Sequence, residues 1–198
     1  MLKDLFKDSL IYLVPTFISR GLSIFLVPFY TTFLSTADYG SLDLINTFGN
    51  LISILITLEI SQGLARYLIE ENNKYKKIVY SSTTLIFAIF IYLLFILISL
   101  IYSNQFSIFI IGRNGLETTY KLGIFSITLN GLFYLIQNQM RWEFRSKEYS
   151  FSSSLLAITV AINAILFCYF FKLGLNGILI SNIIGTLIAI IYCFYNLR

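Results

Sequence analysis

The stretch that most constrains this chain runs from Ser9 to Leu34, SLIYLVPTFISRGLSIFLVPFYTTFL. It is long enough to cross a bilayer, for which ~20 mostly apolar residues suffice at about 1.5 Å rise each. Yet Arg20 sits close to its midpoint, and both prolines of the chain, Pro15 and Pro28, flank that arginine. A guanidinium at the centre of a membrane helix costs roughly 2.5–3.5 kcal/mol on insertion scales. A sequence that keeps one directs it at a partner or a hydrated cavity. At helical spacing Tyr12, Thr16, Arg20, Ser23 and Thr31 share one face, with Val27 the apolar member of that face. The stretch therefore reads as a helix with a lipid side and a polar side that lines a pathway.

Five more apolar stretches follow, at about 42–68, 78–102, 120–140, 151–171 and 177–195, after the first at about 9–34. They are separated by STADYG, EENNKYKK, a loop from Ser103 to Thr119 with a Gly112–Gly115 turn, RWEFRSKEYS and the tight KLGLNG turn. Within the loop, SIFII is expected to lie in the membrane interface. The chain is 57% hydrophobic and 12% charged, where a soluble domain is about a quarter charged. The expected fold is an all-α integral membrane protein, a bundle of six transmembrane helices spanning residues 1–198 as one unit.

Basic residues give that bundle a direction. Nine (Lys3, Lys7, Lys74, Lys76, Lys77, Arg141, Arg145, Lys147 and Arg198) fall on the side of the termini, against Arg113, Lys121 and Lys172 on the other. The positive-inside rule then places both termini in the cytoplasm. The opening MLKDLFKDS leads into a span too long and polar for a cleaved signal peptide, so it is expected to be retained.

Several chemistries are disfavoured by composition. Histidine is absent, and Cys168 and Cys193 both sit in apolar runs, where they read as small hydrophobes. No metal site, cofactor or histidine-based acid–base chemistry is implied. The net charge of +4 comes from inter-span loops, which points to membrane orientation and away from nucleic acid. A glycan polymerase or ligase would need a sizeable external loop with catalytic groups. Here that loop offers only Arg113 and Glu117 as charges, so the chain is not expected to be an enzyme.

The polar residues within spans carry the functional signal. In the second span Asn46, Asn50, Ser53, Thr57 and Ser61 form one stripe, while Glu59, Gln62 and Arg66 occupy another face. In the fourth, Asn130, Tyr134, Gln137 and Arg141 share a face. The fifth and sixth spans offer Thr159, Asn163, Ser181, Asn182 and Thr186, which read as hydrogen-bonding glue between helices. The other stripes point to a hydrated cavity, with Arg20, Glu59, Arg66, Asn50, Asn130 and Gln137 as candidate substrate-binding residues. Arg20 and Glu59 fall at similar depth, which leaves two readings open. One is an ion pair that fixes two helices; the other is an Arg20 available to an anionic ligand, with Glu59 tuning it or coupling an ion. Guanidinium suits phosphate because its planar donors match two oxygens at once. Arg66 and Arg141, near span ends, read as snorkelling or binding lipid headgroups.

Four segments carry a family resemblance. They are Ser19-Arg20 in the first span with Asp38-Tyr39-Gly40 after it, LEISQGLARYLIEENNK (Leu58–Lys74), QNQMRWEFRSKEYS (Gln137–Ser150) and LGLNGILISNIIG (Leu173–Gly185). In order and spacing the chain resembles bacterial oligosaccharide and O-antigen flippases, the Wzx-type polysaccharide-transport branch of the multidrug/oligosaccharidyl-lipid/polysaccharide exporter superfamily. The resemblance implies a MATE-like exporter of two lobes, of which this chain would be the N-terminal one. A fragment of a longer protein is therefore expected, and association of two copies is the alternative. It further implies translocation of an undecaprenyl-diphosphate-linked oligosaccharide across the bacterial inner membrane, in making lipopolysaccharide O-antigen or capsule. Implied partners are the lipid-linked oligosaccharide, membrane lipids and a glycan polymerase. Diphosphate binding by cavity cations carries over to Arg20, with Glu59 and Arg66 weaker candidates. The rival readings are a cation-coupled drug exporter of the same superfamily and a non-transporting membrane assembly subunit.

Overall fold

The computed structural model of the protein describes residues 2–57 and 60–197. They are almost entirely helical, with no strand among the described residues. Eight α-helices follow in order: α1 (Leu2–Phe33), α2 (Thr36–Thr57), α3 (Ile60–Glu70), α4 (Lys74–Ile101), α5 (Ser103–Ile111), α6 (Glu117–Trp142), α7 (Ser146–Ile165) and α8 (Gly174–Leu197). A single π turn, Leu166–Phe170, extends α7.

Local chemistry accounts for the helix ends. α1 runs unbroken through Pro15 and Pro28, which a membrane helix tolerates when neighbours re-satisfy the freed backbone. Ser35 and Asp38 cap α2 reciprocally: the Asp38 amide donates to Ser35 Oγ at 3.1 Å, and that hydroxyl donates to Asp38 Oδ2 at 2.7 Å. Asn73 caps α4 through the Tyr75 amide at 2.9 Å. Gly112 ends α5 in the left-handed region, at φ 72°, as a glycine C-cap does. The α6–α7 turn closes with amide bonds from Arg145 to the Met140 carbonyl and from Phe144 to the Arg141 carbonyl. This is a Schellman turn, and its left-handed position is held by Phe144, at φ 58°, where glycine is usual.

α6 is the hub. It touches α2, α3, α4, α5, α7 and α8, while α8 also lies along α7 and α7 carries α1 on its far side. Close approach depends on small residues. A Cβ at Gly49 of α2 would meet Ile127 of α6 at 2.7 Å, and one at Gly123 of α6 would meet Ile45 of α2 at 2.8 Å. The two helices run parallel and thus exchange isoleucine for glycine at successive turns. One turn beyond Ile127, Gly131 leaves the space filled by the Tyr92 hydroxyl of α4. Along α4 itself, Ser81, Thr84, Ala88, Tyr92 and Ser99 turn inward, and most of the intervening residues are exposed, as suits lipid contact.

The all-α membrane architecture expected from sequence is present among the described residues. Among the described residues three helices are long and apolar enough to cross a membrane: α4, α7 with its π turn, and α8. The span expected at 42–68 falls on α2 and α3, with residues 58 and 59 between them outside the described residues. Thr36–Leu55 and Ile60–Glu70 are bent by 49° and make a fourth span only if counted together. The bend lays Ser61, Leu64, Ala65 and Leu68 of α3 inward, and Tyr67 meets Tyr80 of α4 with ring centroids 5.6 Å apart. Within α1, Phe17–Phe33 is an apolar stretch. α6 is long, but Asn130, Gln137, Asn138 and its hydroxyl residues make it a polar core helix.

This packing makes Gly131 the tightest contact to test. Gly131→Ala is expected to destabilise the protein by about 1–3 kcal/mol through overpacking against Tyr92. Tyr92→Phe should recover part of that loss, since the hydroxyl it removes is buried without a partner among the described residues. Gly63→Ala, with open space around it, should be neutral or stabilising. Thermal unfolding in detergent measures all three, and equal losses at Gly131 and Gly63 would refute the packing account.

Candidate functional site

A cleft of about 780 Å³ opens where α2, α3, α4, α6 and α8 face one another. α2 contributes Asn46, Asn50 and Ser53, and α6 contributes Ser126, Asn130, Tyr134 and Gln137. Ser61, Tyr92 and Asn182 complete its polar lining. No charged side chain is among its described walls. Two stripes distant in sequence, one on α2 and one on α6, therefore meet across a single space.

Those polar groups are not equally available. Asn130 donates from Nδ2 to the Ser126 carbonyl at 2.8 Å and accepts from the Thr186 hydroxyl at 3.4 Å. Gln137 is committed further: its Nε2 donates to Ser152 Oγ at 2.9 Å, to Ser153 Oγ and, at 3.4 Å, to the Tyr149 carbonyl. It braces α6 against α7 as well as lining the cleft. The side chains of Asn46, Asn50 and Asn182 have no hydrogen-bond partner among the described residues. An amide has two donors and an acceptor with two lone pairs, so these three offer directional bonding to a neutral, hydroxyl-rich ligand.

Arg20 is elsewhere. It is exposed and lines a second cavity, of about 920 Å³, with Ser19, Arg141, Trp142, Phe144, Tyr149 and Ser153. Arg66 lies outside both cavities. Its side chain is 79% exposed and pairs with Glu70 at 3.4 Å along α3. Glu59 lies outside the described residues, as do the side chains of Tyr12, Thr16, Ser23 and Thr57. Of the six candidates, the structure gathers Asn50, Asn130 and Gln137 in one cleft and sets Arg20 apart from them.

Sequence reading passed over Tyr92, hidden in a nearly continuous apolar run, and assigned Asn182 to helix–helix glue. A phenol in the middle of a lipid-facing helix was the available signal for Tyr92. Asn182 had none, because an isolated amide on an apolar helix fits either role.

One end of the bundle is held by polar ties between distant helix ends. Arg113 Nη1 pairs with Asp38 Oδ1 at 2.8 Å, joining the α5–α6 turn to the start of α2. Thr119 donates to Asn176 Oδ1 at 2.7 Å, joining α6 to α8. Ser103 donates to Glu117 Oε1 at 2.6 Å, and Lys121 pairs with that same oxygen at 2.7 Å. This end carries Arg113, Lys121 and Lys172, the residues that the charge distribution assigns to the outer side.

These features define a polytopic α-helical membrane protein with an uncharged polar cleft inside apolar helices. The chain belongs to the polysaccharide biosynthesis protein family, whose sequence profile matches residues 5–198. The match takes in all four segments that carry the resemblance to oligosaccharide flippases. No curated protein and no solved structure matches the chain.

The Glu117 tie makes a pH prediction. Bonds from Lys121 and Ser103 hold the Glu117 carboxyl below its ordinary value of 4.5. A depressed carboxylate contributes stability that is present above its unfolded value and lost as pH falls through its folded value. Wild type should therefore unfold at a higher temperature than Glu117→Gln at neutral pH, with the gap closing as pH falls below the ordinary carboxylate value and the group protonates. A gap independent of pH would refute an ionic origin.

Proposed function

We propose that this chain works in translocating an undecaprenyl-diphosphate-linked oligosaccharide across the bacterial inner membrane, as one six-span lobe of a two-lobed, MATE-like exporter. Membership of the polysaccharide biosynthesis family supports the pathway, and the uncharged amide-lined cleft supports the cargo. That cleft is the observation that carries the reading. Sugar hydroxyls bind through directional neutral hydrogen bonds, and Asn46, Asn50 and Asn182 offer groups not otherwise engaged. Arg20 meets the diphosphate, where a guanidinium lowers the penalty of bringing phosphate charge into a low-dielectric region. The lipid tail stays in the bilayer against the exposed apolar helices. The lobe moves cargo by alternating access, rocking against its partner lobe.

In this reading both termini are cytoplasmic, and the end tied through Arg113, Glu117 and Thr119 faces outward. The protein moves a completed glycan-lipid and performs no bond chemistry on it. It would hand its cargo to a glycan polymerase building O-antigen or capsule. A cation-coupled drug exporter would instead present carboxylates to its cargo, and the described walls of both cavities have none.

Glycan export in cells lacking their own flippase tests the proposal. Arg20→Ala should abolish export while leaving membrane insertion intact. Asn50→Leu and Asn130→Leu should each reduce it by about tenfold or more, the worth of one or two lost hydrogen bonds. Full export by all three variants would refute both the cleft and Arg20 as cargo-binding elements. If the chain, expressed with its complete reading frame, restores no export, a non-transporting assembly role becomes the better account.

A further inference from the structure

Tyr134 stands at the centre of the polar floor of the first cavity. It shares a face of α6 with Asn130, one turn before it, and Gln137, one turn after. Those two amides are held in place: Asn130 by the Ser126 carbonyl and the Thr186 hydroxyl, Gln137 by Ser152 and Ser153. Tyr134 has no hydrogen-bond partner among the described residues and is 52% exposed. Its chain neighbours Phe133 and Leu135 are both buried, so this exposure belongs to the cleft side of α6. The ring thus offers a flat face to whatever enters.

Around that ring stand groups of a different kind. Asn46 and Asn50 of α2 and Asn182 of α8 line the same space, free of partners among the described residues. Each brings two donors and a carbonyl acceptor. A pyranose carries C–H bonds on its faces and hydroxyls around its edge. Its C–H groups, slightly positive, lie favourably against the negative face of an aromatic ring, while its hydroxyls meet amides. At about 780 Å³ the cleft falls within the ~300–1,000 Å³ usual for small-molecule sites, room for a short stretch of sugar.

The charge of the walls decides between sugars. No charged side chain is among them as described. Arg141, one turn beyond Gln137 on α6, lines the other cavity, past the Gln137–Ser153 bond. A carboxylate carried into the cleft on a sugar would give up water with no countercharge to replace it, a penalty that amide dipoles offset only in part. Hydroxyls exchange bonds with water for bonds with amides at little net cost.

We propose that this cleft selects neutral sugars over acidic ones, with Tyr134 the platform on which one sugar ring stacks and Asn46, Asn50 and Asn182 reading its hydroxyls. The inference rests on the proposed glycan-lipid cargo and narrows it to glycans free of uronate and other acidic sugars. It adds Tyr134 to the amides as a specificity-determining residue.

The test uses cells lacking their own flippase and expressing the protein with its complete reading frame. Parallel strains make a neutral lipid-linked oligosaccharide, or the same unit with one hexose replaced by its uronic acid. Surface-exposed glycan is measured against the lipid-linked pool of each strain, so differences in supply cancel. Wild type should export the neutral unit about tenfold or more better than the acidic one. Asn50→Arg, which places a cation in the cleft wall, should raise export of the acidic unit and lower that of the neutral one. A gain of this kind cannot come from misfolding. Tyr134→Leu should cut neutral export about fivefold or more, and Tyr134→Phe, which keeps the ring, should lose less.

Equal export of the two units by wild type would overturn the inference, and so would a preference unmoved in Asn50→Arg. Equal losses in Tyr134→Phe and Tyr134→Leu would overturn the stacking role. Failure here is distinct from failure of the proposed function. If wild type exports both units alike, that function stands and the selectivity falls. If it exports neither, the function fails and this inference falls with it.

Discussion

The fold depends on keeping one polar helix away from lipid. α6 buries Thr119, Ser126, Thr128, Gln137 and Asn138 along one axis. A polar group carried into hydrocarbon without a partner costs several kcal/mol, so a helix with this many must be wrapped by others. α2, α4 and α8 do that wrapping, and glycines set how near they come. The Gly49–Ile127 and Gly123–Ile45 contacts seat α2 against α6, and Gly131 seats α4 through Tyr92. Dispersion and close fit drive such contacts in membranes, where the hydrophobic effect between helices is weak.

The cleft follows from the same requirement. Wrapping covers the turns of α6 where glycine or small residues allow it and leaves the turns bearing Asn130 and Tyr134, both exposed, as its floor. α2 supplies the facing wall because Asn46 and Asn50 flank Gly49, one turn apart on the side toward α6. Ties at Asp38–Arg113 and Thr119–Asn176 hold the helix ends nearby.

Much of this was legible in sequence, and the limits have physical reasons. Helices α4 and α8 lie close to their expected limits, because an uninterrupted apolar run has one way to satisfy its backbone in lipid. The stripes on α2 and α6 were visible because helical spacing puts i, i+4 and i+7 on one face. Their meeting across one cleft was not encoded locally. It depends on glycine contacts between residues such as Ile45 and Gly123, far apart in the chain. The 49° bend between Thr36–Leu55 and Ile60–Glu70 was not legible because hydropathy measures length in lipid and carries no information on axis direction. Arg141 shares a stripe with Gln137, yet the residue one turn further on passes beyond the Gln137–Ser153 bond into a different cavity.

That separation of amides from arginines makes sense under the proposed function. Asparagines in the cleft exchange water for sugar hydroxyls with little net change in energy, so a neutral glycan can enter and leave. A guanidinium in the same enclosed space would carry a desolvation penalty in its free state and grip phosphate strongly in its bound state. Either extreme would deepen one step of a transport cycle and slow the next. Arg20 and Arg141 at an exposed flank keep access to water and headgroups, which softens both extremes. Under that proposal the charged end of the cargo would be held where it can be released, while the uncharged end would occupy the amide-lined cleft.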